Sequence, residues 1–331
     1  MAEEGGGVRC LREVLEKVVM ARGDRELEEA SRDLAGLPKL TSVRLLLEDA
    51  GLRELVGKGL LHPLGAVRGL ALSYAEKVAQ DVAKSGDDEL ALALGDSTWV
   101  PNLLRLVRGS LREAEVASRV FVELAGMESR LDKPVVIHRA DFADQVGRAM
   151  AECPDSTSRM RYLGLVVGVA GSGALGLAWS VEHGLLRGVK ETLVRAPKDP
   201  LEALSVFPLL TDLVRTKHGI DYCHEQGVTD RVVQIVTDAD PFLTLSALES
   251  LAAVAVGEAR AGYKRSYFQD HDDFFNALCV TLDGEDDQVQ TSTLHHLGRI
   301  GGVSNVHLWA FLSHSRLRRS VVQWVNKKKM R

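Results

Sequence analysis

A short pattern returns three times in this chain: acidic residue, any residue, glycine, apolar residue, three residues, apolar residue. It reads Asp49-Ala50-Gly51-Leu52 with Val56, Glu182-His183-Gly184-Leu185 with Val189, and Glu225-Gln226-Gly227-Val228 with Val232. The last two glycines lie 43 residues apart and the first two 133, or three steps of roughly 44. A fixed period in this range predicts a helical solenoid, in which each unit packs only on its neighbours. Glycine tolerates the left-handed conformation that ends a helix tightly. The apolar residues at the first and fifth positions after it share one face of the helix that follows.

A second pattern keeps the same period. Helix starts are expected at Pro63-Leu64-Gly65-Ala66-Val67, Asp199-Pro200-Leu201, Asp240-Pro241-Phe242 and Asp286-Asp287-Gln288-Val289. Asp before Pro supplies an N-cap followed by a proline that needs no donor in the first turn. Between the clear glycines the pattern decays, yet Val100, Leu103, Leu104 and Val107 keep helical spacing, as do Phe142, Val146 and Met150. The expected architecture is all-α: one armadillo/HEAT-type helical-repeat superhelix (α-solenoid) over residues 1–331, with about seven repeats. Residues 1–8 are expected to be a flexible lead and 316–331 a basic end.

Composition narrows the function. A net charge of −5 over 331 residues argues against a general nucleic-acid or membrane-surface protein. Cys10, Cys153, Cys223 and Cys279 form no CxxC pair, so neither a disulfide framework nor a Cys-rich zinc site is expected, and a reducing compartment is. The acidic first residues do not read as a secretory signal. Residues 163–181 carry no charge over nineteen positions, long enough for a bilayer, with Gly164 and Gly168 at GxxxG spacing. Gly171-Ser172-Gly173 breaks that run, and two buried helices joined by a turn are expected instead.

Three constellations carry a look of chemistry. Gly171-Ser172-Gly173-Ala174-Leu175-Gly176 matches GxGxxG after an apolar run, and Asp199 lies where a ribose-binding acid would sit. No βαβ series surrounds it, so an inter-helix turn is the reading preferred over a nucleotide-dependent enzyme. His295-His296 and His271-Asp272-Asp273 suggest ligands, but adjacent helical residues point about 100° apart. Cys223-His224 suggests a nucleophile with a base, but helix neighbours do not face each other. The basic end, Arg316, Arg318, Arg319, Lys327, Lys328, Lys329 and Arg331, reads as a solvated helix terminus favoured by the helix dipole. No catalytic residue, metal or cofactor is assigned.

Several stretches exceed the repeat pattern. Lys217-His218-Gly219-Ile220-Asp221-Tyr222-Cys223-His224-Glu225-Gln226-Gly227-Val228-Thr229-Asp230, with Ile235-Val236 and Asp238-Ala239-Asp240-Pro241-Phe242, resembles the 26S proteasome non-ATPase regulatory subunit 5 family. Gly59-Leu60-Leu61-His62-Pro63, Arg159-Met160-Arg161-Tyr162 and Leu11-Arg12-Glu13-Val14 are similar to the same family, in its order and spacing. Family members run past the point where this chain stops, so any role of their final repeats is not carried over. The resemblance implies a non-enzymatic chaperone of regulatory-particle base assembly; the compartment expected is the cytoplasm, with the nucleus as an alternative. Its partner would be the C-terminal domain of a proteasomal AAA ATPase subunit, whose tail it would keep from docking on the core particle. It implies no nucleic-acid or membrane partner and a monomer before binding. Alignment of the two best repeats on Gly184 and Gly227 leaves Arg187, Glu191, Asp230 and Gln234 polar among apolar neighbours, and this face is expected to meet the partner. A generic armadillo adaptor, as in transport, is the alternative; it would show regularly spaced Trp and Asn, and here Trp99 with Asn102 is isolated.

Overall fold

Helix-starting chemistry recurs along the whole chain, and the computed structural model is accordingly all helix. It describes residues 2–35, 47–196, 198–238, 240, 242–270 and 272–329. Ala239, Pro241, His271 and Arg331, which entered the expectations above, lie outside them. Among the described residues there is no strand. The helices are α1 (Ala2–Met20), α2 (Asp24–Ala35), α3 (Ala50–Leu60), α4 (Gly65–Ser85), α5 (Asp88–Gly95), α6 (Trp99–Leu106) and α7 (Leu111–Leu131). Then come α8 (Ala140–Ala151), α9 (Ser156–Ala170), α10 (Ala174–Glu182), α11 (Arg187–Arg195), α12 (Pro200–Leu213), α13 (Lys217–Glu225), α14 (Val228–Thr237) and α15 (Thr244–Arg260). A 3₁₀ turn (Tyr267–Asp270), α16 (Asp272–Asp283), α17 (Asp287–Val303), α18 (Asn305–Ser313) and α19 (Ser315–Lys329) complete the order.

The contacts divide the chain into two compact units, Met1–His183 and Gly184–Arg331. In the first, α4, α7 and α9 pack in succession as one layer, and α3, α6 and α8 as another. In the second, α12, α15 and α17 form one layer and α11, α14, α16 and α19 the other. Each unit is therefore a stack of armadillo-type helical repeats, each repeat packing on the next. Residues 2–8, expected as a flexible lead, belong to α1.

Local chemistry explains most helix starts. Asp155, Asp199, Thr216 and Asp286 each accept a backbone N–H of the first turn from their side chains. Ser110 and Glu113 form a reciprocal capping box. Such caps contribute about 1 kcal/mol each. Two starts differ from expectation. Asp240 accepts the N–H groups of Phe242 and Leu243, making a turn that delays α15 to Thr244. The first glycine copy, Gly51, lies inside α3, because the Asp49 side chain caps the N–H of Leu52 and starts the helix ahead of it. Gly184 and Gly227 do adopt the left-handed conformation, at φ 67° and 65°.

Neighbouring repeats are also joined by hydrogen bonds across roughly one period. Trp99 Nε1 donates to the Arg53 carbonyl at 2.7 Å and Asn102 Nδ2 to the Gly57 carbonyl at 2.9 Å. In the second unit Arg231 Nε donates to the Leu193 carbonyl at 3.1 Å. Trp99 and Asn102 are both buried in this seam, at 0% and 9% exposure. They hold repeats together and are not displayed for a ligand, as the transport-adaptor pattern would have required.

Two repeats lack a regular short helix, and a buried glutamate takes its place in each. Glu128, near the end of α7, accepts the N–H groups of Val136, Ile137 and His138 at 2.5, 2.8 and 2.9 Å. Its Oε2 lies 3.0 Å from His138 Nδ1. Glu258, near the end of α15, accepts from the Tyr267 N–H at 3.0 Å, Ser266 Oγ at 2.8 Å and a ring nitrogen of His224 at 3.0 Å. Both helices end alike: a left-handed residue, Asp132 or Gly262, precedes an N–H that returns to the glutamate's own carbonyl. This six-to-one bond is the Schellman closure. Glu128 and Glu258 have no exposed surface. A buried carboxylate is tolerated where donors surround it.

Candidate functional site

On α11 the helical arithmetic separates two faces cleanly. Val189, Thr192 and Leu193 are buried, while Arg187, Lys190, Glu191, Val194 and Arg195 point outward. Residues three, four and seven apart share a helix face. This outward face forms one wall of an open cleft of about 570 Å³, and Tyr222 and Gln226, at the end of α13, form the other. Arg187 lies across the left-handed turn at Gly184: a Cβ there would stand 3.1 Å from its Nε. Lys190 reaches toward the next such turn, its Nζ 4.0 Å from where a Cβ of Gly227 would be.

The cleft is cationic. Arg187 and Lys190 make no ion pair among the described residues, and Arg195 spends only its Nε, on the Glu191 carbonyl at 3.3 Å. Glu191 is the cleft's carboxylate. Val194 is 56% exposed, an apolar side chain left in water between charges. Burial pushes the Tyr222 phenol up to about 12, against the opposing pull of the nearby Arg187 charge, so it stays a neutral hydroxyl. A second hollow, about 440 Å³ between α4 and α7 in the first unit, differs in that its central charges are already paired. There Arg68 bonds Glu113 and Arg119 bonds Glu76, each at 2.6 Å.

The four residues singled out from the sequence are all exposed. The structure groups them in two pairs. Arg187 and Glu191 line the cleft. Asp230 and Gln234 lie on α14 and already have partners: the Tyr267 hydroxyl donates to Asp230, and Arg231 donates to Gln234 Oε1 at 2.7 Å. Lys190, Arg195 and Tyr222 escaped the sequence reading. The signal for the first two was available, since they continue the Arg187 face by three and eight residues. Tyr222 joins them only through packing of one repeat on the next.

The enzymatic candidates dissolve into structure. Residues 165–170, which would have to be a strand, lie in α9, and 171–173 form the turn before α10. Gly176 allows α10 to pass close to the end of α9, for a Cβ there would meet the Val169 carbonyl oxygen at 2.1 Å. Asp199 caps α12. Among the described residues no helix is long and apolar enough to cross a membrane, and the apolar run 163–181 is divided between α9 and α10. Cys223 is buried, which pushes its thiol up to about 12 and removes the thiolate a nucleophile needs. His224 is fully engaged: its ring nitrogens bond Thr229 Oγ1 and Glu258 Oε1, each at 3.0 Å, and its ring stacks on Tyr267 with centroids 4.4 Å apart. His295 and His296 face each other edge to face at 5.5 Å, and His296 is buried. Burial holds its imidazole below the usual range, so it stays neutral near pH 7.

No protein-family model matches the chain. Curated relatives do. It is 23% identical over 198 residues to 26S proteasome non-ATPase regulatory subunit 5 of Homo sapiens, covering 58% of this chain and 36% of the human protein. The Bos taurus protein of the same name is 24% identical over 198 residues, with the same coverage. The match thus spans little more than a third of these relatives' length. Among solved structures, an engineered protein aligns over 94% of this chain and 76% of its own, at 17% identity and a TM-score of 0.42. A computationally designed armadillo repeat protein for modular peptide recognition aligns over 87% and 99%, at 14% identity and a TM-score of 0.34.

Proposed function

We propose that this chain is a non-enzymatic chaperone of 26S proteasome regulatory-particle base assembly, and that it holds the C-terminal domain of a proteasomal AAA ATPase subunit. The observation that carries the reading is the distant similarity to regulatory subunit 5 across 58% of the chain. The repeat architecture agrees with it. Stacked repeats present long, ordered surfaces, and such surfaces are the usual working part of these folds. The groups that looked catalytic have structural partners, as His224 does in Glu258 and Thr229.

The binding face we propose begins at the α11–α13 cleft, with Arg187 and Glu191, and continues over α14 past Asp230 and Gln234. Its mixed charge suits a protein surface better than a uniform phosphate backbone. The proposed compartment is the cytoplasm. The deciding experiment mixes the purified chain with each isolated ATPase C-terminal domain in turn and measures capture. Recovery of at least one domain, and not of the core particle, is expected. If no domain is captured, the proposal fails.

A further inference from the structure

The cleft between α11 and α13 has more definite chemistry than a general protein-binding face. Three cations line one wall of it, and Arg187 and Lys190 are without ion-pair partners among the described residues. Surface cations left beside one another repel, and a bound anion removes that repulsion while gaining charge-assisted hydrogen bonds. The three are not equivalent in reach. Arg187 is laid along the cleft wall by the missing side chain at Gly184, and Lys190 extends toward Gly227. Arg195 sits about two turns beyond Arg187 on the same wall of the cleft. Together they form a row along α11.

Two features decide which kind of anion fits. Glu191 stands in the row with its carboxylate unpaired among the described residues. It would repel a continuous phosphate chain but accepts an amide N–H of a polypeptide. Val194 and the ring of Tyr222 leave apolar surface inside the cleft, a seat for an aliphatic or aromatic side chain.

We infer that this cleft receives an extended acidic peptide segment of a partner protein. Its carboxylates meet Arg187, Lys190 and Arg195, and one of its apolar side chains rests on Val194 and Tyr222. The inference rests on the protein-binding reading above and names the chemistry of the partner's segment.

The test uses the full chain and fluorescein-labelled peptides of alternating Glu and Leu, with a Lys-Leu peptide and a single-stranded oligothymidylate as counter-probes. Fluorescence anisotropy is expected to show binding of the Glu-Leu peptide only, weakening as salt rises. The double substitution Arg187→Glu with Lys190→Glu should reduce that affinity by about tenfold or more, because it turns two attractions to the peptide's carboxylates into repulsions. Arg25→Ala, an exposed cation on α2, should leave it unchanged. If the double variant melts early, Arg187→Ala and Lys190→Ala singly replace it, each with a smaller loss expected. Equal binding of the Lys-Leu peptide, tighter binding of oligothymidylate, no binding of any probe, or full binding by the charge variants would each overturn the inference. The two readings fail separately. Capture of an ATPase domain without binding of the Glu-Leu peptide overturns the cleft alone. Peptide binding lost on charge reversal, with no ATPase domain captured, supports the cleft and overturns the chaperone reading.

Discussion

Glu128→Gln is the substitution that best tests how these repeats are held. The side chain changes little in volume, so packing is preserved. In the wild type Oε1 accepts two backbone N–H groups and Oε2 accepts a third, and the carboxylate is fully buried. Gln keeps one oxygen and turns a donor toward the remaining N–H. A hydrogen bond to a charged group contributes about 1.5–3 kcal/mol against roughly 0.5–1.5 for a neutral one, and an orphaned buried donor costs about 1–3 kcal/mol. Loss of charge from two bonds and of the third bond altogether gives about 3–5 kcal/mol, a large share of a typical stability of about 5–15. Burial works to raise the Glu128 carboxyl, but the His138 side chain and the three N–H groups outweigh it and hold it below the usual carboxylate range. A lowered folded pKa stabilises the fold above the ordinary carboxylate range, and that contribution is lost as pH falls through the lowered value. Urea denaturation should therefore show the deficit in full at neutral pH and a narrowing gap between variant and wild type in acid. Amide exchange at Val136, Ile137 and His138 should accelerate. A deficit under about 1 kcal/mol, with those amides still protected, would refute the clasp.

Other expectations follow from the same structure. Asn102→Ala leaves the Gly57 carbonyl without its donor in the repeat seam and should destabilise by about 1–3 kcal/mol, read from the denaturation midpoint. Cys223, with its thiol pushed up to about 12, should ignore a thiol reagent at mildly alkaline pH until denaturant is added; prompt labelling in the native state would contradict its burial. Gly227→Ala must hold a left-handed φ and should cost about 1–2 kcal/mol. Gly51→Ala should stay within about 0.5 kcal/mol of wild type, because its backbone is helical and the new Cβ meets only the movable guanidinium of Arg12.

The parts of this fold legible in the sequence are those set by neighbours along the chain. Asp199-Pro200 and Asp286 announce helix starts because the capping groups lie within three residues of what they cap. The turn at 171–173 was legible because two glycines interrupt an apolar run. The same local logic misled at Gly51, where Asp49 caps the helix first and the glycine has no turn to make. Exposure of Arg187, Glu191, Asp230 and Gln234 followed from helix arithmetic. Their pairing did not, because Tyr267 meets Asp230 from a loop that Glu258 holds by the Tyr267 N–H. A glutamate on a buried stripe was the missed sign: Glu128 follows Leu124, and Glu258 follows Val254, by one turn.

The left-handed glycines tie the repeat to the cleft. A β-carbon at Gly184 would press on Arg187 at 3.1 Å, while one at Gly227 would stand 4.0 Å from Lys190, in ordinary contact. Both positions require the same backbone conformation, so both carry the same conformational reason for glycine. Only at Gly184 does the absent side chain also make room for a cleft cation. The residue that makes the left-handed turn thus also sets where a guanidinium lies on the surface. In a stacked fold that link is expected, since the turn between helices is where the buried layer meets the exposed one. A period that begins as a packing requirement becomes, at this one copy, a determinant of which charges the surface presents.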